Sequence, residues 1–398
     1  MEKTGRPETG AARERLRAAR RIVVKLGTSV VTGAGGQVSS GHLEPLVNSL
    51  INLKREGRQV VLVSSGAVGL GARHLELKPG RLGDVVMRQA CAAVGQSLLM
   101  HAYEKLFGAG GVKIAQVLLT EDDFTDRGRY STLRRTMEKL LKLNVLPIVN
   151  ENDAVSIAEL QYLDEGRTRV FSDNDRLAAL VMSKLDADAL VLLSDVDGLL
   201  GRRGDKTESG APVKTDDTVN VIPVVNEITP ELKALALGPS VGGRGGMLTK
   251  LEAARIAMQS GGVAVIANGQ KSDTLNRIFS GEEIGTVFVS QSRMAGKRRW
   301  IAYAAGVHGR FIVNDGAREA IVKSKASLLS SGVVRIENRF NPLDVVGIAD
   351  TKGKEFARGI ASCASAEAER LIHEKGRNEA DARKHILITR DNIVLLEN

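Results

Sequence analysis

The stretch with the densest chemical potential is Gly242–Ala254, GGRGGMLTKLEAA, where four glycines stand between Gly242 and Met247 and a lysine follows at Lys250. Glycines let a backbone turn its N–H groups toward a ligand without side-chain interference. Leu251, Ala254 and Met258 recur at the spacing of one helical face, so a helix is predicted to begin just beyond the glycines, its N-terminus adding partial positive charge. Lys250, one turn inside, can reach back to the same anion. Backbone donors, a helix end and an ammonium group together suit the phosphates of a nucleotide.

Four further polar clusters each follow an apolar run. In VVKLGTSV, Lys25 sits at the end of a strand-like segment and is followed by Gly27. Burying an unpaired ammonium is costly, so a lysine there points to an anion site. In VLVSSGAVGLG, Ser64, Ser65 and Gly66 leave a strand, where exposed N–H groups and hydroxyls can hold a carboxylate or phosphoryl group. In PIVNENDAV, Asn150, Glu151, Asn152 and Asp153 follow a strand. Helix capping needs one such residue rather than four. Asp153 can accept from an amino group, and Asn150 can bond an amine or a carboxylate. The companion SDND, Ser172–Asp175, opens a helix. In LVLLSDVDGLL, Ser194 and Asp195 leave a strand end where a base or ribose could rest, while Asp197-Gly198 reads as a turn.

The elements that must position these residues follow from apolar patterning. Strands are predicted over Ile22–Leu26, Val60–Val63, Lys113–Leu119, Val145–Asn150, Ala189–Leu193 and Val263–Ala267, near-continuous in Val, Ile and Leu as in parallel strands buried on both faces. Helices are predicted over Val86–Phe107, with Met87, Cys91, Val94 and Leu98 on the buried stripe, over Tyr130–Leu143, and over Asn174–Ala187. Strands alternating with helices imply βαβ units and an open, covered parallel sheet. Ligands of such sheets bind outside the carboxyl ends of the strands, so the clusters should converge on one edge. Gly201–Asp217 is expected to be a long loop or hairpin.

The first twenty residues, polar and rich in Arg and Glu, are expected to form a loose tail or a short helix, and the α/β pattern runs from residue 21 to about 290. A basic joint, 291–299, leads to a small mostly-β module over 300–398, with short strands expected at Trp300–Ala304, Arg310–Val313, Val333–Ile336, Val345–Ala349 and Phe356–Ser362, a helix at Gly316–Lys323 and a last strand within Ile386–Leu395.

Composition narrows the function classes. A net charge of +9 fits anionic ligands, whether nucleotides, acidic metabolites or RNA. Two cysteines, Cys91 and Cys363, argue against a disulfide framework or a cysteine-based zinc site. No run approaches a membrane span and the first twenty residues lack an apolar core, so a cytoplasmic protein with no membrane partner is expected. No GxxxxGK[S/T], no GxGxxG, no histidine metal spacing and no Ser–His–Asp assembly is present.

VVKLGTSV, VSSGAVGLG, PIVNENDAV, SDNDRLAAL, LLSDVDGLL and GGRGGMLTKLEAA, in that order, resemble the amino acid kinase family over about residues 21–290, and within it the members that phosphorylate glutamate. KRRWIA, GVHGRFIVNDGAREAIVKSKASLLSSGVV and EFARGIASCASAEAERL resemble a PUA domain. The resemblance implies a three-layer αβα sandwich with a mostly parallel open sheet, followed by a mostly-β PUA-like domain. It implies transfer of a phosphoryl group from Mg²⁺–ATP to the γ-carboxylate of L-glutamate, the first step of proline biosynthesis. Lys25 and Lys250 would contact the transferring phosphate and Asp175 would orient them. Ser65, Asp153 and Asn174 would bind glutamate, with Asn150 and Asp173 as helpers. Ser194, Asp195 and the loop Arg244, Gly245, Gly246, Met247, Leu248, Thr249 and Lys250 would bind ATP. Feedback inhibition by proline is common in the family, and a homo-oligomer is expected. Arg244 and Leu248 depart from the family loop, and Gln161–Phe171 is longer than in some members. The alternatives are an aspartate or nucleotide monophosphate kinase of the same family, or an RNA-binding protein acting through Lys297, Arg298, Arg299 and Trp300. For those four residues a basic interdomain joint is the favoured reading.

Overall fold

A computed structural model describes residues 7–32, 38, 40–77, 82, 84–120, 122–155, 174–202, 219–236, 246–290, 294–304, 306–373 and 386–396. They fall into two compact units. The first holds the described residues of Met1–Thr120, Ser131–Glu159 and Phe171–Met294; the second holds those of Glu121–Tyr130 and Ala295–Asn398.

The first unit is built on an eight-stranded sheet. Its strands are β1 (Arg21–Leu26), β2 (Gln59–Val63), β3 (Ile114–Leu119), β4 (Leu146–Glu151), β5 (Ala189–Ser194), β8 (Val224–Val225), β9 (Val263–Asn268) and β10 (Thr286–Val289); β6 (Leu200–Arg202) and β7 (Val219–Val221) pair separately. The order is β3-β4-β2-β1-β5-β9-β10-β8. All neighbours run parallel except β9 and β10. Strands β4, β2, β1 and β5 are therefore consecutive, and the clusters that follow them lie side by side at one edge.

Alternation along β1 separates two layers. Ile22, Val24 and Leu26 enter a core shared with α3 (Ser40–Arg55), with Leu99, Tyr103 and Phe107 of α5 (Val85–Ala109), and with Leu275 and Ile278 of the helix Thr274–Phe279. Lys25 turns the other way, to the helix Asn174–Leu185, which packs against the helix Met247–Gln259. Helices thus cover both faces, giving the three layers.

Of the two expectations for the N-terminal residues, a loose tail or a short helix, the structure shows the helix. Pro7–Ala18 forms helix α1, with Ala12, Leu16 and Ala19 buried in the same core. Arg13 donates to the carbonyls of Ile284 and Gly285. The charged residues that suggested a tail cover a narrow apolar stripe at Ala12, Leu16 and Ala19.

Helix α4 (Ala67–His74) crosses α5 at very close range. A Cβ on Gly71 would stand 1.8 Å from the Cys91 carbonyl oxygen, and one on Gly95 would stand 1.8 Å from that of Ala67. This crossing selects which face of α5 is inside. Ala92, Gly95, Gln96, Leu99, Tyr103 and Phe107 are buried with Cys91, whereas Met87, Val94 and Leu98 of the predicted stripe are only partly so. The glycine contact, rather than apolar periodicity, sets the helix rotation.

The second unit carries a five-stranded sheet of β11 (Val307–Val313), β13 (Val333–Glu337), β14 (Val345–Ala349), β15 (Glu355–Ile360) and β17 (Ile393–Leu395), ordered β13-β11-β14-β15-β17. Leu328–Leu329 (β12) pairs with Ile386–Ile388 (β16). Phe311, Val313, Phe340, Val346, Ile348 and Phe356 form its core. Trp300–Ala304, expected as a strand, is a π-helical turn. Ile301, Ala302 and Tyr303 are all buried, so no solvent face enforces alternation, and the Trp300 indole N–H donates to the Phe124 carbonyl at 3.0 Å. Arg299 is buried as well. The expected last strand is split into β16 and β17 by a 3₁₀ turn at Arg390–Asn392.

Candidate active site

The site grows from the carboxyl ends of β1, β2, β4 and β5. Lys25 is paired in the sheet with Val63 on one side and Leu192 on the other, which fixes its Cα at the middle of the edge. Its Nζ lies 2.6 Å from Oδ1 of Asp175, in the first turn of the Asn174–Leu185 helix. The other oxygen, Oδ2, is 3.2 Å from Nζ of Lys250. The Thr249 hydroxyl is also 3.2 Å from Oδ2 and 2.9 Å from the Gly246 carbonyl. Asp175 is 0% exposed, Lys25 7% and Lys250 5%. Burial by itself would push the Asp175 carboxyl up; the Lys25 and Lys250 ammonium groups and their hydrogen bonds outweigh it and hold the group below the ordinary carboxylate range. One buried anion therefore gathers two cations from distant parts of the chain.

Two helix N-termini open on the same edge without side-chain caps. Gly66, at φ +99°, precedes α4, and Gly246 precedes the Met247–Gln259 helix. Their first N–H groups are left for an anion. A side chain at Gly66 would also crowd Thr32, with Cβ 3.3 Å from its methyl group.

Beside the lysines lies an amide and hydroxyl network. The Asn174 Nδ2 group approaches the Ser64 carbonyl at 2.9 Å, Ser65 Oγ at 2.9 Å and Asn150 Oδ1 at 3.1 Å. Asn150 Nδ2 donates to Gln96 Oε1 at 2.8 Å, and Ser64 Oγ is 2.7 Å from the Tyr103 hydroxyl. Burial pushes the Tyr103 phenol up, so it stays protonated. Next to the network is a cavity of about 390 Å³ whose lining includes Gln96, Ser97, Met100, Glu151, Asn152 and Asp153. That is the size and mixed polarity of a small-metabolite site.

On the other flank, Ser194 is buried with its Oγ lacking a partner among the described residues, while Asp195 is exposed and its carbonyl accepts from Asn268 Nδ2 at 3.3 Å. Asn268 also binds Asp197, which pairs with Lys271. Met247 begins the helix and Leu248 is exposed on its first turn. Of the predicted site residues, Asp173, Arg244 and Gly245 lie outside the described residues. The structure brings Lys25, Asp175, Lys250 and Thr249 together, and it brings Ser65, Asn150 and Asn174 together. Asp153 lies on the adjoining cavity. Gln96 and Tyr103 were not anticipated. Their signal was a glutamine and a tyrosine on the face of α5 that Gly95 shares, legible once that face is known to be buried.

The amino acid kinase family model matches residues 20–268. The chain belongs to the amino acid kinase family. A PUA domain model matches residues 309–382. Among curated relatives, the glutamate 5-kinase of Moorella thermoacetica is 43% identical over 95% of this chain and 97% of its own length. That of Myxococcus xanthus is 44% identical over 93% and 92%, and that of Caldanaerobacter subterraneus 41% over 95% and 98%. As an amino acid kinase domain followed by a PUA match, the chain has the order expected from its motifs.

Proposed function

We infer that this chain phosphorylates the γ-carboxylate of L-glutamate with ATP, giving L-glutamyl 5-phosphate, the entry to proline biosynthesis. The observation that carries the reading is the Lys25–Asp175–Lys250 bridge at the carboxyl edge of the sheet; the full-length likeness to glutamate 5-kinases supplies the substrate.

The acceptor is already ionised near neutral pH, with an ordinary pKa of ~4.3, so the reaction needs no general base. The obstacle is bringing one anion onto another. At ~3.5 Å and an effective dielectric of ~20, each unit-charge pair repels by about 5 kcal/mol. Catalysis is then positioning and charge stabilisation. Lys25 and Lys250 present ammonium groups to the migrating phosphoryl unit. Asp175 acts through them, holding both at fixed places without meeting the substrate. The N-terminus of the Met247–Gln259 helix and Ser194 receive the nucleotide, and Ser65, Asn150, Asn174 and Asp153 receive the amino acid. Ser194 Oγ, buried and without a partner among the described residues, fits that role. Among the described residues no group of three or more His, Cys, Asp or Glu could hold a metal. Mg²⁺ typically keeps several waters and leans on the nucleotide's own phosphate oxygens, where it would supply further charge neutralisation.

The test is ATP consumption with glutamate and hydroxylamine, read as glutamyl hydroxamate, with aspartate and UMP assayed alongside. Turnover of glutamate alone is expected; turnover of aspartate or UMP in its place would move the chain to another activity of its family. The same reading includes inhibition by proline competing with glutamate, checked by adding proline to the assay.

A further inference from the structure

We propose that Gln96 is a positioning residue that anchors Asn150 and, through it, holds Asn174 and Ser65 in the arrangement they offer to the acceptor; the proposal rests on the reading that the acceptor is glutamate. An asparagine amide has a donor end and an acceptor end of nearly identical shape, so packing alone does not decide its orientation. Hydrogen-bond polarity does. Gln96, on the buried face of α5, accepts from Asn150 Nδ2 at 2.8 Å. That fixes Asn150 Oδ1 on the side of Asn174, where it accepts at 3.1 Å. The Ser64 backbone carbonyl, which can only accept, makes Asn174 present Nδ2 to it and to Ser65 Oγ, both at 2.9 Å, so the chain from Ser64 to Gln96 has one consistent polarity.

Two consequences follow at the atoms left over. Asn174 Oδ1 is buried without a partner among the described residues, an acceptor held ready for a donor. Ser65 Oγ, already accepting from Asn174, keeps its own proton to donate, as an incoming carboxylate oxygen requires. Reversing the two amides would set Asn174 Oδ1 against the Ser64 carbonyl and consume the Ser65 proton. Gln96 completes the polarity from its other end. With Oε1 given to Asn150, its NH₂ is left for the cavity it lines, whose lining also includes Glu151 and Asp153. Beneath the relay, Tyr103 bonded to Ser64 at 2.7 Å keeps the strand end in place. The relay thus gives the amino-acid side of the site a set polarity before substrate arrives.

The experiment is a double-mutant cycle on the full chain. Gln96→Met keeps length and removes the acceptor. It is expected to raise KM for glutamate about fivefold to tenfold, the scale of one lost neutral hydrogen bond, with KM for ATP unchanged. In an Asn150→Ala background the same substitution is expected to change KM for glutamate less than about twofold, because the residue through which it acts is gone. Gln96→Leu, of similar bulk and likewise unable to accept, is expected to give the same KM for glutamate as Gln96→Met, and it serves if Gln96→Met does not fold. Equal effects of Gln96→Met with and without Asn150 would overturn the relay. So would a parallel rise in KM for ATP. If the parent does not turn over glutamate at all, the functional reading fails first and separately.

Discussion

Replacing Asp175 by asparagine tests the central bridge most directly. The carboxylate is fully buried and lies 2.6 Å from the Lys25 ammonium and 3.2 Å from that of Lys250. At an effective dielectric of ~20 the two attractions are about 6 and 5 kcal/mol. Their sum is not the net contribution, because the parent also bears the cost of taking three charges out of water. The amide removes the compensation and leaves that cost with the lysines. Breaking a buried pair by removing one partner costs ~3–5 kcal/mol, so Asp175→Asn should lose about that much. At roughly 2–4 °C per kcal/mol for a domain of this size, Tm should fall by about 6–20 °C. The pH dependence carries the same sign. The folded carboxyl titrates below its unfolded value, so its stabilisation is complete above about pH 4 and disappears as pH falls through the folded pKa. Urea midpoints measured by circular dichroism from pH 7 down to 3 should show an acid-side loss in the parent that is shallower in the variant. Turnover should fall on the order of 10²-fold, since both lysines lose their common anchor. A variant that loses less than about 1 kcal/mol at pH 7 and keeps the parental acid limb would show that the bridge does not hold the lysines.

Further outcomes follow from the neighbouring residues. Lys250→Met or Lys25→Met should lower kcat by on the order of 10²–10³; steady-state kinetics showing an intact kcat with only a weaker KM would remove that lysine from the transition state. Asp153→Ala should raise KM for glutamate about tenfold or more and leave KM for ATP alone, whereas the opposite pattern would reverse the two subsites. Gly95→Ala places a methyl group 1.8 Å from the Ala67 carbonyl oxygen, a backbone atom that no rotamer change can clear. It should cost at least about 1–3 kcal/mol in urea denaturation and weaken glutamate binding by shifting Gln96 and Tyr103. Unchanged stability would mean that α4 and α5 can part without penalty.

Much of the architecture was legible in the chain itself. The apolar runs of β1, β2, β4, β5 and β9 are short, rich in branched aliphatics and punctuated by polar clusters, and strands covered on both faces have no other composition available to them. Because four of the polar clusters follow strands, their convergence on one edge was implied by parallel pairing alone. Lys25 stood out because an ammonium at the end of such a run needs a partner. Which residue supplies it was not legible from the residue pattern and was named only through the family resemblance. Asp175 reads as an ordinary first-turn acid of its helix, and it becomes the common anchor only because β1 sits beside β5 with the Asn174–Leu185 and Met247–Gln259 helices packed over that face. Strand order is a choice among pairings that local propensity leaves nearly equal. The face of α5 was likewise decided by the Gly71 and Gly95 contacts, which brought Gln96 and Tyr103 inward. Residues 300–304 form a π-helical turn whose Trp300 indole donates to the Phe124 carbonyl, far away in sequence. Local pattern dictates what each segment can become; long-range contacts dictate which side chains meet, because their energy depends on neighbours that no window along the chain contains.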